Sequence, residues 1–330
     1  MAQPTNSLDR YGLGSTFEDL AKTVSMISPV QVPFTSNIRT EASENILKEW
    51  SVDALASATD DAQIDGDAFD ADSLTAPTRA GNYHQITRKD MIITGRAEVV
   101  NKPGMRSEVA RQLAKAAMEL RRNIETTITS RKIAVQGTST TAGHTAGAPA
   151  WIITNDQLGS GGTSPTHTNG IPVTLGTSGT NRALTELRFQ TAIQNAWEEG
   201  GQPDFAFLVP QLKRSMSNYL FGTSARIASQ DQNYSSSPKQ GATVLASVDF
   251  YFSPFGKVML VPDRFTDDEE VLVIDSNLWA VSYLRNMRTI SIQPNGDNYR
   301  YMVLADFALR CDNEEGNAVV ADIDSTAAVA

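Results

Sequence analysis

Side chains able to carry catalysis or to bind a metal are few and widely separated in this sequence. Cys311 is its one cysteine, so no disulfide can form within the chain. Three histidines lie far apart, without a cysteine or a second histidine at metal-ligand spacing: His84, His144 and His167. The motifs GxSxG, HExxH, GxxxxGKS/T and GxGxxG do not occur. This inventory predicts no enzyme, no metal site and no cofactor.

The overall composition is that of a globular protein with an acidic balance. The chain has 330 residues, with 28 lysines and arginines against 38 aspartates and glutamates, a net charge of −10. This balance disfavours a general affinity for nucleic acid or for an anionic membrane. The start of the chain lacks the basic and apolar regions of a signal peptide, and no apolar run approaches the roughly 18 residues that a membrane span needs. We therefore expect no membrane partner.

Charge is divided unevenly between two neighbouring stretches. Residues 40–75 contain ten acidic side chains and one basic one, whereas residues 76–135 contain twelve basic and five acidic side chains. The acidic stretch is also rich in small residues and too polar to bury. Residues 45–55, within this stretch, and residues 85–100, after it, alternate as strands do. We expect these two runs to be the strands of a long, projecting hairpin.

Residues 107–132 predict a helix of unusual length. Ser107 follows a Pro-Gly break and is a suitable N-cap. One face of the predicted helix is charged. On it, Lys115 and Glu119, and Arg121 and Glu125, are oppositely charged pairs four residues apart. At ~1.5 Å per residue this helix is roughly 39 Å long. Its apolar face repeats every three or four residues: Val109, Leu113, Ala117, Leu120, Ile124 and Ile128.

The rest of the chain predicts loops followed by mixed helices and strands. Residues 137–182 are dominated by Gly, Ser and Thr and are predicted to be connecting loops. From residue 184 onward, helical and strand patterns alternate. The last of them, residues 299–311, alternates long enough for a strand of roughly 43 Å at ~3.3 Å per residue. A long helix with a long strand indicates an elongated α+β plate backed by a sheet.

The order of these elements resembles that of the major capsid (head) proteins of tailed bacteriophages. The wording of several segments is also similar: EWSVDAL, AWIITND, LTELRFQTAIQNAWEEGGQPDFAFLVPQLKRSMS, VDFYFSPFGKVMLVPDRF and IDSNLWAVSYLRNMRTISI. The resemblance covers nearly the whole chain and implies the α+β tailed-phage major capsid fold. The regions that it implies are an N-terminal arm (1–38), an extended β-hairpin loop (39–100), the spine helix with the first part of the peripheral domain sheet (101–182), an axial domain (183–286) and a return into the peripheral domain (287–330).

The resemblance also implies a function and partners. It implies a structural protein that self-assembles, as homo-hexamers and homo-pentamers, into an icosahedral phage head around double-stranded DNA. The implied partners are further copies of the chain, DNA on the inner surface, and portal, scaffolding or decoration proteins. The implied location is the virion capsid, assembled in the cytoplasm of the host bacterium. The alternative is a non-viral encapsulating protein shell of the same fold.

Two features of the family's assembly can be compared with this sequence. Some related capsids are cross-linked through a loop lysine, but nothing around Lys48 marks it as reactive. The acidic loop is expected to contact basic residues of a neighbour's spine helix, although those residues could instead face packaged DNA. The residues expected at the assembly interface are Glu49, Trp50, Asp53, Asp60, Asp61, Asp65, Asp67, Arg111, Lys115, Arg121 and Arg122.

Overall fold

A computed structural model describes residues 28–60, 62–63, 65–66, 74–100, 107–222 and 249–326, with only the backbone for 218–222. The helices in this part of the chain are α1 (Pro33–Asn37), α2 (Gly95–Val99), α3 (Glu108–Thr129), α4 (Ala148–Trp151), α5 (Glu186–Glu198) and α6 (Pro210–Gly222). The strands are β1 (Arg39–Ala42), β2 (Leu47–Val52), β3 (Thr78–Tyr83), β4 (Gln85–Thr94), β5 (Asp156–Gln157), β6 (Thr166–Thr168), β7 (Ile171–Thr174), β8 (Phe205–Leu208), β9 (Phe250–Ser253), β10 (Gly256–Pro262), β11 (Val271–Ile274), β12 (Trp279–Ile292), β13 (Asn298–Cys311) and β14 (Ala318–Val320).

A four-stranded sheet in the order β1-β12-β13-β4 contains the longest strands. The long strand predicted at residues 299–311 is confirmed as β13, and its antiparallel partner β12 is equally long, at 14 residues. On the other side of β13 lies β4, also antiparallel. Helix α3 packs on one face of this sheet, where Leu120, Ile124 and Ile128 share a core with Val303 and Phe307.

The predicted long helix is confirmed as α3, which has 22 residues. Its N-cap is Ser107, as predicted, and the Ser107 hydroxyl accepts a hydrogen bond from the Ala110 N–H at 3.2 Å. The helix ends at Thr129, three residues earlier than the predicted end at Lys132. Thr129 donates its hydroxyl to the carbonyl oxygen four residues back at 3.0 Å, and the extended backbone of Ser130 stops the helix. Hydroxyl groups that bond to nearby carbonyls in this way compete with further helical hydrogen bonds.

A six-stranded mixed sheet in the order β5-β14-β11-β8-β10-β9 lies between two cores. One face packs against α5 and α6, where Phe189, Ile193 and Leu212 are buried with Val258 and Leu260. The alternate side chains of β8 and β11 point the other way and join the core beneath α3. Because both faces of its central strands are covered, these strands are apolar almost throughout, as the fully buried VLVI of β11 shows.

The sheets suggest a division into regions that differs from the predicted one. The expected limit at residue 286 falls inside β12, which belongs entirely to the four-stranded sheet. After β13 the chain returns to the six-stranded sheet, where β14 pairs with both β11 and β5. We therefore propose that the limit between the two regions lies just before Trp279 rather than at residue 286.

The predicted pairing of the extended hairpin is wrong in its second strand. The partner of β2 is β3, with Glu49 opposite Gly81, whereas residues 85–94 form β4 in the four-stranded sheet. Alternation in β4 arises because one set of side chains faces α3 and the other set is exposed. The period of two identified a strand correctly, but it carries no information about the partner of that strand.

One predicted loop region contains a hairpin. Strands β6 and β7 pair through a two-residue connection, Asn169-Gly170, in which both residues have positive φ, 53° and 73°. Asn-Gly is the sequence most typical of such a tight turn. The carbonyl oxygen of Gly170 accepts a hydrogen bond from the Gly81 N–H at 3.1 Å, so this small hairpin supports the β2–β3 hairpin.

The described end of the predicted N-terminal arm is part of the protomer's own core. Residues 1–27 lie outside the described residues, but Phe34 in α1 is fully buried. Its ring lies 5.0 Å from that of Phe207 and 6.0 Å from that of Trp279. Phe34 therefore joins the six-stranded sheet to the strand that begins the four-stranded sheet.

We expect Phe34→Ala to lower the free energy of unfolding of the protomer by about 3–5 kcal/mol, because it removes a fully buried ring from between two others. Urea unfolding followed by tryptophan fluorescence, at a concentration that keeps the protein unassembled, measures the change. Val30→Ala is the control, since Val30 is 44% exposed and its truncation should change little. Equal effects of the two substitutions would show that α1 is not part of the core.

Candidate assembly interface

The acidic stretch begins on the β2–β3 hairpin. Glu49 is exposed on β2, and its carboxylate pairs with Arg79 on β3 at 2.9 Å. Both side chains are largely in solvent, and an exposed pair of this kind contributes about 0–1 kcal/mol. Glu49 is therefore placed on the surface but is partly neutralised within its own protomer.

Trp50 lies in the protomer core and not on a free surface. Its side chain is 8% exposed, its ring lies 5.3 Å from that of Trp151, and the Arg310 guanidinium lies 5.7 Å from its centroid. Alternation along β2 explains this burial, because Trp50 points to the face opposite Glu49. We therefore leave Trp50 out of the proposed assembly contact.

The acidic side chains beyond β2 are in solvent. Asp53, Asp60 and Asp65 are exposed and form no ion pair with any described residue. Leu55, between the first two, is 99% exposed. Asp61 and Asp67, which were predicted in the same set, lie outside the described residues. This segment carries negative charge and an apolar side chain without using either in the protomer.

The four basic residues predicted on the spine helix divide into two pairs. Arg111 is held by Glu108 one turn away, and half-buried Arg122 lies 5.7 Å from the centre of the Phe265 ring. Lys115 and Arg121 are exposed, and Lys115 is 3.7 Å from Glu119. Among the described residues, no ion pair joins these side chains to the acidic segment. The structure thus does not bring the two halves of the predicted interface together within one protomer.

The predicted surface pair of Arg121 with Glu125 is wrong. Glu125 is fully buried, and its carboxylate accepts hydrogen bonds from the backbone N–H groups of Phe34 at 2.6 Å and Thr35 at 2.9 Å. These groups belong to the first turn of α1, whose N-cap residue provides no side-chain cap of its own. A carboxylate from α3 therefore caps α1 and fixes it on the spine helix.

Burial raises the pKa of three carboxyl groups in the protomer, those of Glu125, Glu270 and Asp156. Desolvation raises the pKa of Glu125 to about 7, and the nearby Asp263 charge adds to the shift against the two hydrogen bonds from α1. Desolvation likewise raises the pKa of Glu270 to about 7, although Arg131 donates to it at 2.5 Å. The pKa of Asp156 rises to about 6, again chiefly by burial. Each of these groups is therefore protonated to a higher pH in the folded protein than in the unfolded chain.

Sequence reasoning missed a basic and apolar surface on the outer side of the four-stranded sheet, opposite α3. Directly paired residues of antiparallel strands share a face, so the register aligns Arg88 with Leu304 and then with Arg288. Ile86 and Ile92 are 61% and 63% exposed on the same face. The alternation of residues 85–94 was the available signal, because Arg88 and Asp90 are at exposed positions of the strand.

Comparison with protein families identifies the chain. A family model described as SU10 major capsid protein matches residues 3–324. The chain belongs to this family. Its members are structural capsid proteins and not enzymes, in agreement with the prediction from the residue inventory.

Individual relatives agree with this membership. The major capsid protein of Escherichia phage Phieco32 is 30% identical over 128 residues, which are 38% of this chain and 36% of that protein. The capsid of Cyanophage A-1(L) has a TM-score of 0.65 at 13% identity and covers 96% of this chain and 98% of its own. The SrpI encapsulin complex of Synechococcus elongatus PCC 7942 has a TM-score of 0.56 at 15% identity, covering 95% of each chain.

At these identities the structural likeness concerns the fold, and it confirms the predicted tailed-phage capsid fold. The encapsulin shows that this fold is not restricted to phage heads, so the family match decides for a phage capsid protein. In the described part of the chain, no helix is long and apolar enough to cross a membrane. No group of three potential metal ligands occurs among those same residues.

We expect the protomer to lose stability as the pH rises from 5 to 8. The folded state keeps a proton on Glu125 up to a pKa of about 7, whereas the unfolded chain releases it near 4.5. The folded state thus binds more protons across this window, and its advantage, about 3 kcal/mol for this group, disappears as the pH rises through 7. Urea unfolding at several pH values measures the slope, which Glu125→Gln should flatten.

Glu41→Gln is the matched control for this slope. Burial opposes the charge of Glu41, but the Ser282 hydroxyl and Arg310 outweigh it and lower the pKa of Glu41. Glu41 is therefore ionised in both the folded and the unfolded state above pH 6, and its replacement should leave the slope unchanged there. A slope that is the same in wild type and Glu125→Gln would contradict the assignment.

Proposed function

We propose that this chain is the repeating subunit of an icosahedral phage head, arranged in rings of six and of five copies around double-stranded DNA. The family match across residues 3–324 carries the proposal. The acidic segment that is unused within the protomer supports it, because such a segment gains contacts only when further copies are present. The subunit would assemble in the cytoplasm of a host bacterium, with portal, scaffolding or decoration proteins as further partners.

The acidic segment of one copy is proposed to contact a basic surface of its neighbour. Two such surfaces exist on the described chain: the exposed positions of α3 and the outer face of the four-stranded sheet. The sheet face offers the better complement, because Arg288 and Arg300 form no ion pair with described residues. The exposed Ile92 lies directly opposite Arg300, whereas Arg88 on the same face pairs with Asp90 at 3.3 Å. Complementary charge of this kind steers association and sets the register between subunits.

If the outer sheet face contacts the neighbouring subunit, the exposed side of the spine helix faces the packaged genome. Lys115 and Arg121 project from α3 on the side of the protomer opposite the proposed subunit contact. A few positive charges that line a shell lower the repulsion of DNA phosphates without giving the protein a strong affinity for DNA. This arrangement is compatible with the net charge of −10.

A non-viral encapsulating shell is the second candidate, and it is favoured by the structural likeness to the SrpI encapsulin complex. Both candidates expect closed shells in electron micrographs of the purified protein. They differ in content, because a phage head fills with DNA during infection and an encapsulating compartment holds proteins. A stable, compact monomer that forms no shells at any concentration would contradict both.

We expect reversal of Asp53 and Asp60 to lysine to reduce the yield of shells at least tenfold, since it turns a complementary contact into a repulsive one. Sedimentation and electron microscopy of assembly reactions measure the yield. The matched control reverses Glu199 and Asp268, two exposed acids far from the segment in sequence. If both double variants assemble as well as wild type, charge does not guide the contact.

Replacement of Lys115 and Arg121 by glutamate should leave the yield of empty shells unchanged and reduce the fraction of DNA-filled particles. The physical reason is that the new charges would repel packaged phosphates and not a neighbouring subunit. Gradient separation of empty and filled particles during phage production measures the two populations. A fall in empty-shell yield would instead show that these residues contact a neighbour's acidic segment.

A further inference from the structure

The loop that joins β12 to β13 carries an Asn-Gly pair, Asn295 and Gly296, at its tip. Every residue of this loop, 293–297, is exposed. An Asn-Gly pair can react with itself, because the backbone nitrogen of the glycine can attack the side-chain carbonyl carbon, Cγ, of the asparagine. Glycine has no side chain that hinders this approach. The backbone geometry around the pair therefore decides whether the reaction occurs in the folded chain.

Gly296 has the freedom that the attack requires. Its φ is 150°, a conformation that residues with a side chain rarely adopt. A Cβ atom placed on it would have Asn298 Nδ2, at 3.6 Å, as its nearest atom outside the adjacent residues. The Gly296 N–H donates no backbone hydrogen bond to a described residue. The Gly296 nitrogen can thus turn toward the Asn295 side chain without breaking a contact.

Asn298 activates the carbon that is attacked. Its Nδ2 group donates a hydrogen bond to Asn295 Oδ1 at 3.2 Å. A donor in this position stabilises the negative charge that the oxygen gains when Cγ is attacked. Asn298 is itself held in place, because it pairs with Thr94 in the sheet and its backbone N–H donates to the Gly296 carbonyl oxygen at 2.9 Å. Nucleophile, electrophile and donor therefore lie within four consecutive residues of one loop.

The second Asn-Gly pair of the described chain, Asn169-Gly170, has a different geometry. A Cβ atom on Gly170 would lie 1.9 Å from the carbonyl oxygen of Arg79, so this glycine packs tightly on β3. Its own carbonyl oxygen accepts from the Gly81 N–H at 3.1 Å. The Gly170 nitrogen cannot turn toward Asn169 unless the hairpin leaves β3. Asn169 is exposed as Asn295 is, and only the freedom of the following glycine separates the two pairs.

We propose that Asn295 is a site of spontaneous covalent modification, at which the Gly296 nitrogen closes a cyclic imide on Asn295 Cγ with Asn298 as the activating donor. The bond from nitrogen to Cγ forms, the Cγ–Nδ2 bond breaks, and Nδ2 leaves as ammonia with the proton from the Gly296 N–H. Water then opens the imide. Cleavage of the new bond to Cγ leaves aspartate, and cleavage of the original peptide bond leaves isoaspartate. The sequence consumes one water, releases one ammonia and needs no oxidant or reductant.

The product changes a junction between three elements. The Asp297 carbonyl oxygen accepts from the N–H of Gly95, the first residue of α2, at 3.0 Å. Glu98 of α2 in turn accepts from the Glu108 N–H at 2.9 Å and caps the spine helix α3. A carboxylate at position 295 adds negative charge beside Asp297, and isoaspartate also lengthens the backbone of the loop. Both changes weaken the hold of the loop on α2. This inference does not depend on the proposed shell function.

Mass spectrometry of the full-length protein after storage at mildly alkaline pH tests the proposal. Trypsin releases residues 289–300, which contain Asn295, and residues 133–182, which contain Asn169. We expect the first peptide to exchange an amide NH₂ for OH and to become a substrate for an isoaspartate methyltransferase. The rate should rise with pH, because a base must remove the Gly296 proton. Freshly purified protein, digested in parallel, corrects for conversion during digestion.

The two Asn-Gly pairs provide an internal control for geometry. Conversion at Asn169 should be at least about tenfold slower than at Asn295, because its nucleophile is held out of position. Equal rates at the two asparagines, or an unchanged Asn295 after prolonged storage, would overturn the proposal.

Variants of the same loop test the role of Asn298. Asn298→Ala should slow conversion of Asn295 roughly fivefold, since it removes the donor to Oδ1. Gln293→Ala is the matched control and should leave the rate unchanged, because Gln293 is exposed in the same loop and forms no hydrogen bond with a described residue. A rate for Asn298→Ala equal to or above that of wild type would show that Asn298 is not the activating donor.

Hydrogen exchange measures the consequence for α2. The Gly95 N–H should exchange faster in stored wild-type protein than in Asn295→Gln stored in the same way, because the longer glutamine side chain closes an imide much less readily. Asn295→Asp separates the two products, since it adds the charge without lengthening the backbone. Equal exchange at Gly95 in all three proteins would show that the modification does not reach the junction with α2.

Discussion

The antiparallel pairing of β12 with β13 is the constraint on which the rest of the protomer depends. The pair runs for 14 residues on each strand and gives α3 a surface long enough to pack along. The same pair receives β1 on one side and β4 on the other. Its outer face, opposite α3, carries the exposed arginines and isoleucines. One extended ladder of backbone hydrogen bonds thus separates the surface that carries the spine helix from the surface that we propose for a neighbouring subunit.

Two interactions tie the remaining parts of the protomer to this ladder. The Glu125 carboxylate holds the first turn of α1 on the spine helix, and the ring of Phe34 in that turn lies between Phe207 and Trp279. The six-stranded sheet therefore does not pack on the spine directly at this point but through a short helix from the start of the described chain. An ionisable group in so buried a place makes this junction sensitive to pH.

Elements that depend on local periodicity could be predicted from the sequence. The long helix and the long strand lie where the periodicity predicts them. Pairing could not be predicted in the same way, since the partner of β2 is decided by tertiary packing. Glu125 was predicted to be on the exposed face because it lies four residues after Arg121. It is buried instead, next to the buried Ile124 on the same helix. The Asn169-Gly170 dipeptide could have predicted the β6–β7 hairpin. It was overlooked because residues 137–182 were assigned to loops from their Gly, Ser and Thr content.

The candidate site was predictable in its charges and not in its geometry. Net negative and net positive stretches are visible in the sequence. Burial and local contacts in the folded chain decide which of their side chains remain free to contact a neighbouring subunit. Trp50 is buried in the core, Arg111 donates hydrogen bonds to Glu108, and the Arg122 guanidinium lies over the Phe265 ring.

The exposure of Leu55 also bears on solubility before any shell exists. A free apolar side chain on an extended segment is a hazard, because unfolded or newly made chains can associate through it as β-strands. Here the neighbouring carboxylates Asp53 and Asp60 give the segment like charge, and the three alanines and Ser57 between them give it a low strand propensity. Such flanking charges act as gatekeepers against aggregation. The same negative charges that we assign to recognition thus keep the free subunits apart from one another until a complementary surface is met.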